Sequence, residues 1–179
     1  RGGFWRNFQV KYREINDLHK QMLRTSAKVA RMPEGPAKAT ALDHLYQGQS
    51  NDCYWHGLFG GIYIAHMRLA TYEHLIAAED AADREPRSWG ARIDGISAQD
   101  LDLDGTDELL VAQPGQVVAL KPSEGAGIGS WDVRAVRHSL TSVMRRRTEA
   151  YHQKLVDFEA GGAEHPGEGE GATSIHDGV

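Results

Sequence analysis

The spacing of apolar residues changes at Arg84-Glu85-Pro86, and this change limits the folds that the chain can adopt. Before it, apolar residues recur at intervals of three and four, which is the period of an amphipathic helix. The pattern predicts three helices, at about 12–32, 36–48 and 61–82. The apolar face of the first predicted helix consists of Ile15, Leu18, Met22, Ser26 and Val29 or Ala30.

After the change, short apolar runs are separated by Gly, Pro and Asp, which is the pattern of strands and turns. The runs predict strands at about 89–96, 108–112, 117–121 and 131–136. Helical spacing returns between residues 140 and 158, where a helix or a short helix inside a loop would fit. Residues 161–171 are rich in Gly and Glu, which predicts a flexible linker or surface loop. The chain is therefore predicted to be α + β.

The segment NDCYWHGLFGG at 51–61 combines aromatic rings with short carboxylate and amide groups. A sugar pocket needs this mixture, because it requires an apolar wall and a few fixed polar groups. In that interpretation the indole stacks on a sugar ring and the polar groups bind its hydroxyls. The alternative is a buried aromatic cluster at a helix start, in which the polar residues are caps. The residues alone leave both interpretations open.

A second polar segment, DLDLDG at 100–105, alternates aspartates before a glycine. Such a run can wrap carboxylate oxygens around a hard cation such as Ca²⁺. Counted from Asp100, the twelfth position is Val111 rather than Glu, so the segment is not an EF-hand. A shorter calcium loop with Asp100, Asp102 and Asp104 as ligands fits the pattern. A solvated hairpin turn without an ion fits it too.

Composition argues against several classes of function. The net charge of -5 and the pI near 6.0 provide no basic surface for nucleic acid or for an acidic membrane. We expect neither a signal peptide nor a membrane span, because no apolar run approaches about 20 residues. The single cysteine, Cys53, fits a reducing compartment and predicts a cytoplasmic location. The chain begins at Arg1 within an aromatic, charged pattern, so we expect a fragment of a longer protein.

Two further chemistries receive little support from the residues. Cys53 and His56 are three positions apart, but a lone cysteine is usually a small buried hydrophobe rather than a nucleophile. His66 and His74 would lie about 12 Å apart along a helix, which is too far for a shared zinc ion. No cysteine pair or HExxH pattern is present in the sequence, so no transition-metal site is predicted.

Six separated segments carry a resemblance to one family of enzymes. NDCYWHGLFGG is preceded by FWRNFQVKY at 4–12 and HKQML at 19–23, and is followed by YEHLI at 72–76. DLDLDG and RRTEAYH at 146–152 come later. In this order the segments resemble glycoside hydrolase family 57, the α-amylase and 4-α-glucanotransferase type. The similarity covers most of residues 1–158, and residues 174–177 again.

The resemblance implies an architecture in two parts. Residues 1–85 would be the helical C-terminal end of an α/β barrel catalytic domain. Residues 86–179 would be the start of a β-sandwich, mutarotase-like domain. The family's two catalytic carboxylates, a Glu and an Asp, precede the segment at 51–61 and have no match here. We therefore expect no catalytic residue in this chain.

The resemblance also implies that 51–61 forms part of a sugar-binding cleft. Asp52 is then expected to accept hydrogen bonds from sugar hydroxyls, because an ionised carboxylate is a strong acceptor. Trp55 is expected to be the stacking platform. Asn51, Tyr54 and His56 are expected to position the substrate or the groups that touch it.

The function implied is part of a retaining hydrolase or transglycosylase, in which one carboxylate attacks the sugar and another protonates the leaving oxygen. Its substrate would be an α-1,4-glucan such as starch or glycogen, or a maltooligosaccharide. No cofactor is required, and a structural Ca²⁺ is a candidate. The alternative is a non-catalytic carbohydrate-binding or calcium-stabilised module that has kept the cleft and lacks the catalytic half.

Overall fold

Four α-helices form the first half of the described chain. The structure is a computed structural model that describes residues 4–56, 60–85, 95–145, 147, 153 and 156–157. The helices are α1 (Trp5–Lys11), α2 (Arg13–Ala30), α3 (Pro36–Gly48) and α4 (Ala65–Arg84). The last three confirm the helices predicted from the apolar spacing, although the third begins at Ala65 because a 3₁₀ turn occupies Gly61–Tyr63. Every helix in the described part of the chain is too short or too polar to cross a bilayer.

The buried face of α2 differs from the predicted face at two positions. The buried residues are Ile15, Leu18, Gln21, Thr25 and Val29. Met22 and Ser26, which were predicted on this face, are only half-buried. Gln21 lies inside because its Nε2 donates a hydrogen bond of 2.7 Å to Oδ2 of Asp132, a buried carboxylate from the second half of the chain. The buried carboxylate of Asp132 requires a hydrogen-bond donor, and this requirement places Gln21 inside where the apolar spacing predicted Met22.

A glycine allows α3 and α4 to pack closely. Gly48 is the last residue of α3, and a Cβ at this position would lie 2.6 Å from Cδ2 of Leu75 in α4. The Leu75 side chain fills the space that any larger residue would need. The backbone oxygen of Gly48 also accepts a hydrogen bond from the hydroxyl of Tyr54. The end of α3 is thereby joined to the segment that follows it.

The second half of the described chain is an antiparallel sheet whose strands lie in chain order. The strands are β1 (Gly95–Gln99), β2 (Glu108–Ala112), β3 (Gln116–Lys121), β4 (Gly127–Val133) and β5 (His138–Ser139). A small apolar cluster on β2 and β3 consists of Leu110, Val117 and Ala119. The helices and this sheet belong to one compact unit, Gly3–Val143, and the remaining residues form a second unit.

The predicted strands agree with the structure to different degrees. The runs at 108–112 and 117–121 are confirmed as β2 and β3. The run at 131–136 begins too late and ends too late, because β4 starts at Gly127 and a 3₁₀ turn follows at Arg134–Val136. Most of the run at 89–96 lies outside the described residues, as does 161–171. The described residues contain one sheet, so the β-sandwich and its boundary at residue 86 stay predictions.

Charged side chains connect the sheet to the helices. Nζ of Lys121, at the end of β3, lies 3.3 Å from Oδ1 of Asp17 in α2. The guanidinium of Arg134, just after β4, pairs with Asp80, at 3.3 Å, and with Asp83, both in α4. Arg134 is buried, so these ion pairs are protected from water and from salt.

A buried carboxylate joins α2 to α4. Glu79 of α4 accepts hydrogen bonds from Nζ of Lys28 at 2.6 Å and from Nε of Arg24 at 3.3 Å. Burial would raise the pKa of Glu79, but the two cations outweigh burial and hold the pKa well below its usual range. Glu79 is therefore held in its ionised form, and it needs both partners.

Asp132 is a second buried carboxylate, and no cation of the described residues forms an ion pair with it. Its side chain is 2% exposed and it faces the Nε2 of Gln21. Burial, together with the negative charge of Glu79, raises its pKa to about 6. The folded protein therefore favours the protonated form of Asp132 more than the unfolded chain does.

We expect Asp132→Asn to reduce the pH dependence of stability. The folded pKa of about 6 exceeds the ordinary value of 3.8, so the folded state binds more protons in this interval and gains stability as pH falls from 7 to 5. One such group contributes about 1 kcal/mol to that gain. An asparagine at this position cannot titrate, yet its oxygen can still accept from Gln21.

The test is urea unfolding of both proteins at pH 5 and at pH 7. The free energy of unfolding should rise more for the wild type than for the variant when the pH is lowered. An equal change in the two proteins would contradict the assigned pKa.

Candidate functional site

A cleft of about 590 Å³ lies between α1 and the segment at 51–61. Its lining residues are Phe4, Trp5, Asn7, Phe8 and Lys11 from the first of these, and Asn51, Tyr54 and Trp55 from the second. The lining is therefore mainly aromatic, with two amide side chains and one ammonium group. The volume is within the range of pockets that enclose small organic ligands, about 300–1,000 Å³.

The backbone of the segment turns back on itself to form one wall of the cleft. Asn51–Tyr54 is a 3₁₀ turn, and Trp55 is extended, with φ -155° and ψ -174°. Gly60 and Gly61 have φ of 94° and 53°, which is the left-handed region that favours glycine. The N–H of Ile62 then donates to the backbone oxygen of Trp55 at 3.0 Å. The two ends of the turn are thus fastened together just before α4.

Three of the five predicted sugar-binding residues line the cleft. Trp55 is 38% exposed. Asn51 is exposed beside it. Tyr54 is buried, and its hydroxyl donates a hydrogen bond to the backbone oxygen of Gly48. Its contribution to the cleft is therefore its aromatic ring.

Asp52 and His56 do not line the cleft. Oδ2 of Asp52 accepts a hydrogen bond of 2.6 Å from Oγ of Ser50, and the side chain is half-buried. Nε2 of His56 lies 2.7 Å from the hydroxyl of Tyr12, and the imidazole packs 5.2 Å from the rings of Phe8 and Tyr63. His56 therefore supports the wall from behind.

The contribution of α1 is absent from the residues predicted to bind sugar. Phe4, just before α1, and Asn7, Phe8 and Lys11 within it follow the i, i+3, i+4, i+7 spacing of one helix face, and all four line the cleft. This spacing is the feature of the sequence that could have identified these residues as one face of a helix. It was missed because a helix of seven residues is too short for a convincing period.

Cys53 is buried, as predicted for a small hydrophobe. Burial raises the pKa of its thiol above the ordinary value. The thiol is therefore protonated at neutral pH and is a poor nucleophile.

The acidic loop at 100–108 brings together a set of carboxylates that differs from the predicted one. Oxygens of Asp100, Asp102 and Glu108 lie within 4.8 Å of one another. The predicted third ligand, Asp104, instead accepts a hydrogen bond of 2.8 Å from the backbone N–H of Thr106. Counted from Asp100, Glu108 is the ninth residue of the loop, whereas an EF-hand has its carboxylate at the twelfth.

Glu108 carries an oxygen whose hydrogen-bonding capacity is unused. Its side chain is 1% exposed, and Oε2 accepts from the N–H of Leu101 at 2.8 Å. Oε1 has no hydrogen-bond partner among the described residues. Burial raises the pKa of this carboxyl. A buried acceptor of this kind needs a proton or a cation.

The other two carboxylates of this group, Asp100 and Asp102, already have partners. Asp100 accepts backbone N–H groups from Asp104 at 3.0 Å and Gly105 at 2.9 Å, which fixes the loop. Asp102 pairs with Nζ of Lys121 at 2.7 Å. Three carboxylates against one ammonium leave an excess of negative charge, and oxygen-only donors fit Ca²⁺ better than a transition metal.

Two family models match the chain. They are "Alpha-amylase/4-alpha-glucanotransferase, middle domain", over residues 3–82, and "Alpha-amylase/4-alpha-glucanotransferase, C-terminal", over residues 100–179. The chain belongs to this family. This is glycoside hydrolase family 57, the same family that the six sequence segments resemble.

Individual family 57 proteins are similar over nearly the whole chain. Alpha-amylase 1 of Dictyoglomus thermophilum is 43% identical over 164 residues, which are 90% of this chain and 23% of that protein. The 4-alpha-glucanotransferase of Thermococcus kodakarensis is 35% identical over 179 residues, 99% of this chain and 24% of that protein. The chain thus spans about a quarter of the length of the relatives it matches.

A solved structure is similar in fold. The crystal structure of 4-alpha-glucanotransferase from Thermococcus litoralis matches with a TM-score of 0.71 and 35% identity, over 85% of this chain and 22% of that chain. The α + β arrangement of helices followed by an antiparallel sheet is therefore shared with a family 57 enzyme.

We expect Gly61→Ala to disrupt the wall of the cleft. A Cβ at Gly61 would lie 2.2 Å from the backbone oxygen of Trp55 and 2.7 Å from Cα of His56, so the loop would have to move. The matched control is Gly125→Ala, where φ is also positive, at 72°, but no atom lies within 4 Å. The control variant therefore has the backbone strain of a positive φ without a steric clash.

The measurement is the free energy of unfolding in guanidinium chloride. Gly61→Ala should be less stable than Gly125→Ala by about 2 kcal/mol, which is typical of overpacking. If the two variants lose the same stability, backbone strain alone explains both and the close approach at Gly61 is wrong.

Proposed function

We propose that the chain contributes a sugar-binding cleft to a retaining enzyme of the α-amylase or 4-α-glucanotransferase type. The observation that carries the proposal is the cleft between α1 and residues 51–55, whose mainly aromatic lining includes two amides and one ammonium group. The relatives named as alpha-amylase and 4-alpha-glucanotransferase support an α-1,4-glucan or a maltooligosaccharide as the ligand.

The side chains of the cleft suit the two faces of a glucose unit. The exposed indole of Trp55 offers an apolar platform to the C–H face of the ring. The amides of Asn7 and Asn51 can donate to and accept from hydroxyls, and the ammonium of Lys11 can only donate. The described residues that line the cleft include no carboxylate, so these residues would hold a glucan mainly by stacking and by hydrogen bonds to the two amides and to Lys11.

Asp52 and His56 take different parts in this proposal. Asp52 is proposed as a sugar-hydroxyl ligand at the margin of the cleft, where Ser50 orients its carboxylate. His56 is proposed to act indirectly, because it supports the aromatic wall through Tyr12. Asn51 and Tyr54 complete the set as positioning residues.

Catalysis is proposed to reside elsewhere in a longer protein. A retaining mechanism needs two carboxyl groups about 5–5.5 Å apart across the scissile bond. The lining residues that the structure describes include no such pair. We propose that the helices are the C-terminal end of an α/β barrel that supplies the pair, and that the sheet begins a mutarotase-like β-sandwich.

The alternative is a non-catalytic carbohydrate-binding module with the same cleft. The sequence of the gene upstream of the Arg1 codon separates the two. An open frame that encodes a barrel with a Glu and an Asp in the matching positions supports the enzyme. A local start codon preceded by a stop codon supports the module.

We expect Trp55→Ala to weaken the binding of maltoheptaose roughly tenfold, as loss of a central aromatic anchor does. The control is Tyr72→Phe, which removes only a hydroxyl from a buried side chain of α4. Isothermal titration calorimetry measures both affinities. Small, equal effects of the two substitutions would contradict the assignment of Trp55.

We also propose that the acidic loop binds a structural Ca²⁺. Asp100, Asp102 and Glu108 would hold the ion, with Glu108 taking the place predicted for Asp104. The unpartnered Oε1 of Glu108 supports this proposal, because a cation would satisfy it. The ion would brace the turn between β1 and β2 and would take no part in chemistry.

We expect Ca²⁺ to raise the midpoint of thermal unfolding by several degrees relative to EDTA. A ligand that binds only the folded state at 100 times its Kd adds about 2.7 kcal/mol. Glu108→Gln should abolish the shift, whereas Asp107→Asn should keep it, because Asp107 is exposed outside the cluster. No shift in the wild type, or an equal shift in both variants, would remove the site.

A further inference from the structure

A second indole, that of Trp5, lines the same cleft as Trp55. It is 41% exposed, which is close to the exposure of Trp55. Its ring stacks on Phe8 with 6.1 Å between the centroids and 13° between the planes. An exposed ring that packs against a neighbour on one side already has a restricted orientation. It therefore loses little further side-chain entropy when a ligand binds, and it can serve as a stacking platform.

His19 supports Trp5 from a second direction. The imidazole of His19 meets the indole edge-on, with 5.7 Å between the centroids and an angle of 86°. Its Nδ1 accepts a hydrogen bond of 2.7 Å from Nε2 of Gln9, which is buried. The orientation of the imidazole is therefore fixed by a hydrogen bond as well as by packing.

His19 also links Trp5 to the segment at 51–61. The same imidazole lies edge-on to Tyr54, at 6.3 Å and 82°. Trp5 and Tyr54, which lie in different elements, thus rest on one shared side chain. His19 therefore packs against both walls of the cleft and connects them.

We propose that Trp5 is a second sugar-stacking platform, so that one maltooligosaccharide occupies both indoles with different glucose units. The inference rests on the proposed function, since it assigns a further residue to the same sugar site. The cleft volume of about 590 Å³ lies among pockets that enclose drug-sized ligands, which are larger than one hexose. His19 is the positioning residue for this second platform.

The polar groups near Trp5 favour a sugar over an apolar peptide as the occupant. Asn7 and Lys11 lie on the same helix as Trp5 and line the cleft beside it. An apolar partner segment would leave their amide and ammonium groups without water, which is costly. A sugar ring presents hydroxyls at its edge and C–H groups at its face, and so satisfies both kinds of surface.

The first test observes the tryptophans of the unaltered chain. In a protein labelled with ¹⁵N-tryptophan, each of the four tryptophans gives one indole N–H signal, and single Trp→Phe variants assign them. Titration with maltoheptaose should shift the signals of Trp5 and Trp55. The signal of Trp131 should stay, because its Nε1 donates to Gln116 in the sheet at 2.9 Å.

The second test compares affinities for a long and a short ligand. Trp5→Ala should weaken the binding of maltoheptaose by three- to tenfold, roughly the value of one aromatic contact, and should affect maltose less. Tyr46→Ala, which removes an exposed ring of α3 outside the cleft, is the control and should change neither affinity. His19→Ala should move the Trp5 signal before any sugar is added.

The outcomes separate this inference from the proposed function. If the Trp55 signal shifts and the Trp5 signal does not, the second platform is wrong and the sugar site stands. If neither signal shifts, the sugar site itself fails. If Trp5→Ala weakens maltose and maltoheptaose equally, the two indoles do not hold different glucose units.

Discussion

The buried carboxylate of Glu79 is the constraint on which the rest of the structure depends. An ionised group in the interior is costly unless cations surround it, so α2 must present Arg24 and Lys28 to α4 in one register. Lys28 also reaches Asp83 at 2.8 Å, and Asp83 pairs with Arg134 after β4. One chain of charges therefore sets α2, α4 and the sheet in a single arrangement.

The cleft depends on this arrangement through α4. Guanidinium nitrogens of Arg68, in the first turn of α4, donate to the backbone oxygen of Ile62 and to Ser142 beyond the sheet. The turn that carries Trp55 is closed onto Ile62, so its position follows from that of the helix. His56 then transmits the position to Tyr12 and hence to α1. A binding surface on short elements is in this way held by a charge network deep in the protein.

The elements with a strong period could be predicted from the sequence, and the residues that respond to distant partners could not. α2 was visible from Ile15, Leu18 and Val29, but the burial of Gln21 depends on a carboxylate that is 111 positions away. Glu108 was outside the predicted calcium ligands because the loop closes after nine residues. Both depend on contacts that a local pattern does not contain.

The joint between α1 and α2 gives the cleft a mechanical property. A single residue, Tyr12, separates the two helices, and its hydroxyl is held by His56. Trp5 lies about 10 Å along the axis of α1 from this joint, at 1.5 Å per residue. A rotation of about 10° at Tyr12 would therefore swing the indole by about 2 Å, by the same helix geometry. The width of the cleft is therefore sensitive to the backbone angle at Tyr12, the residue whose hydroxyl contacts His56.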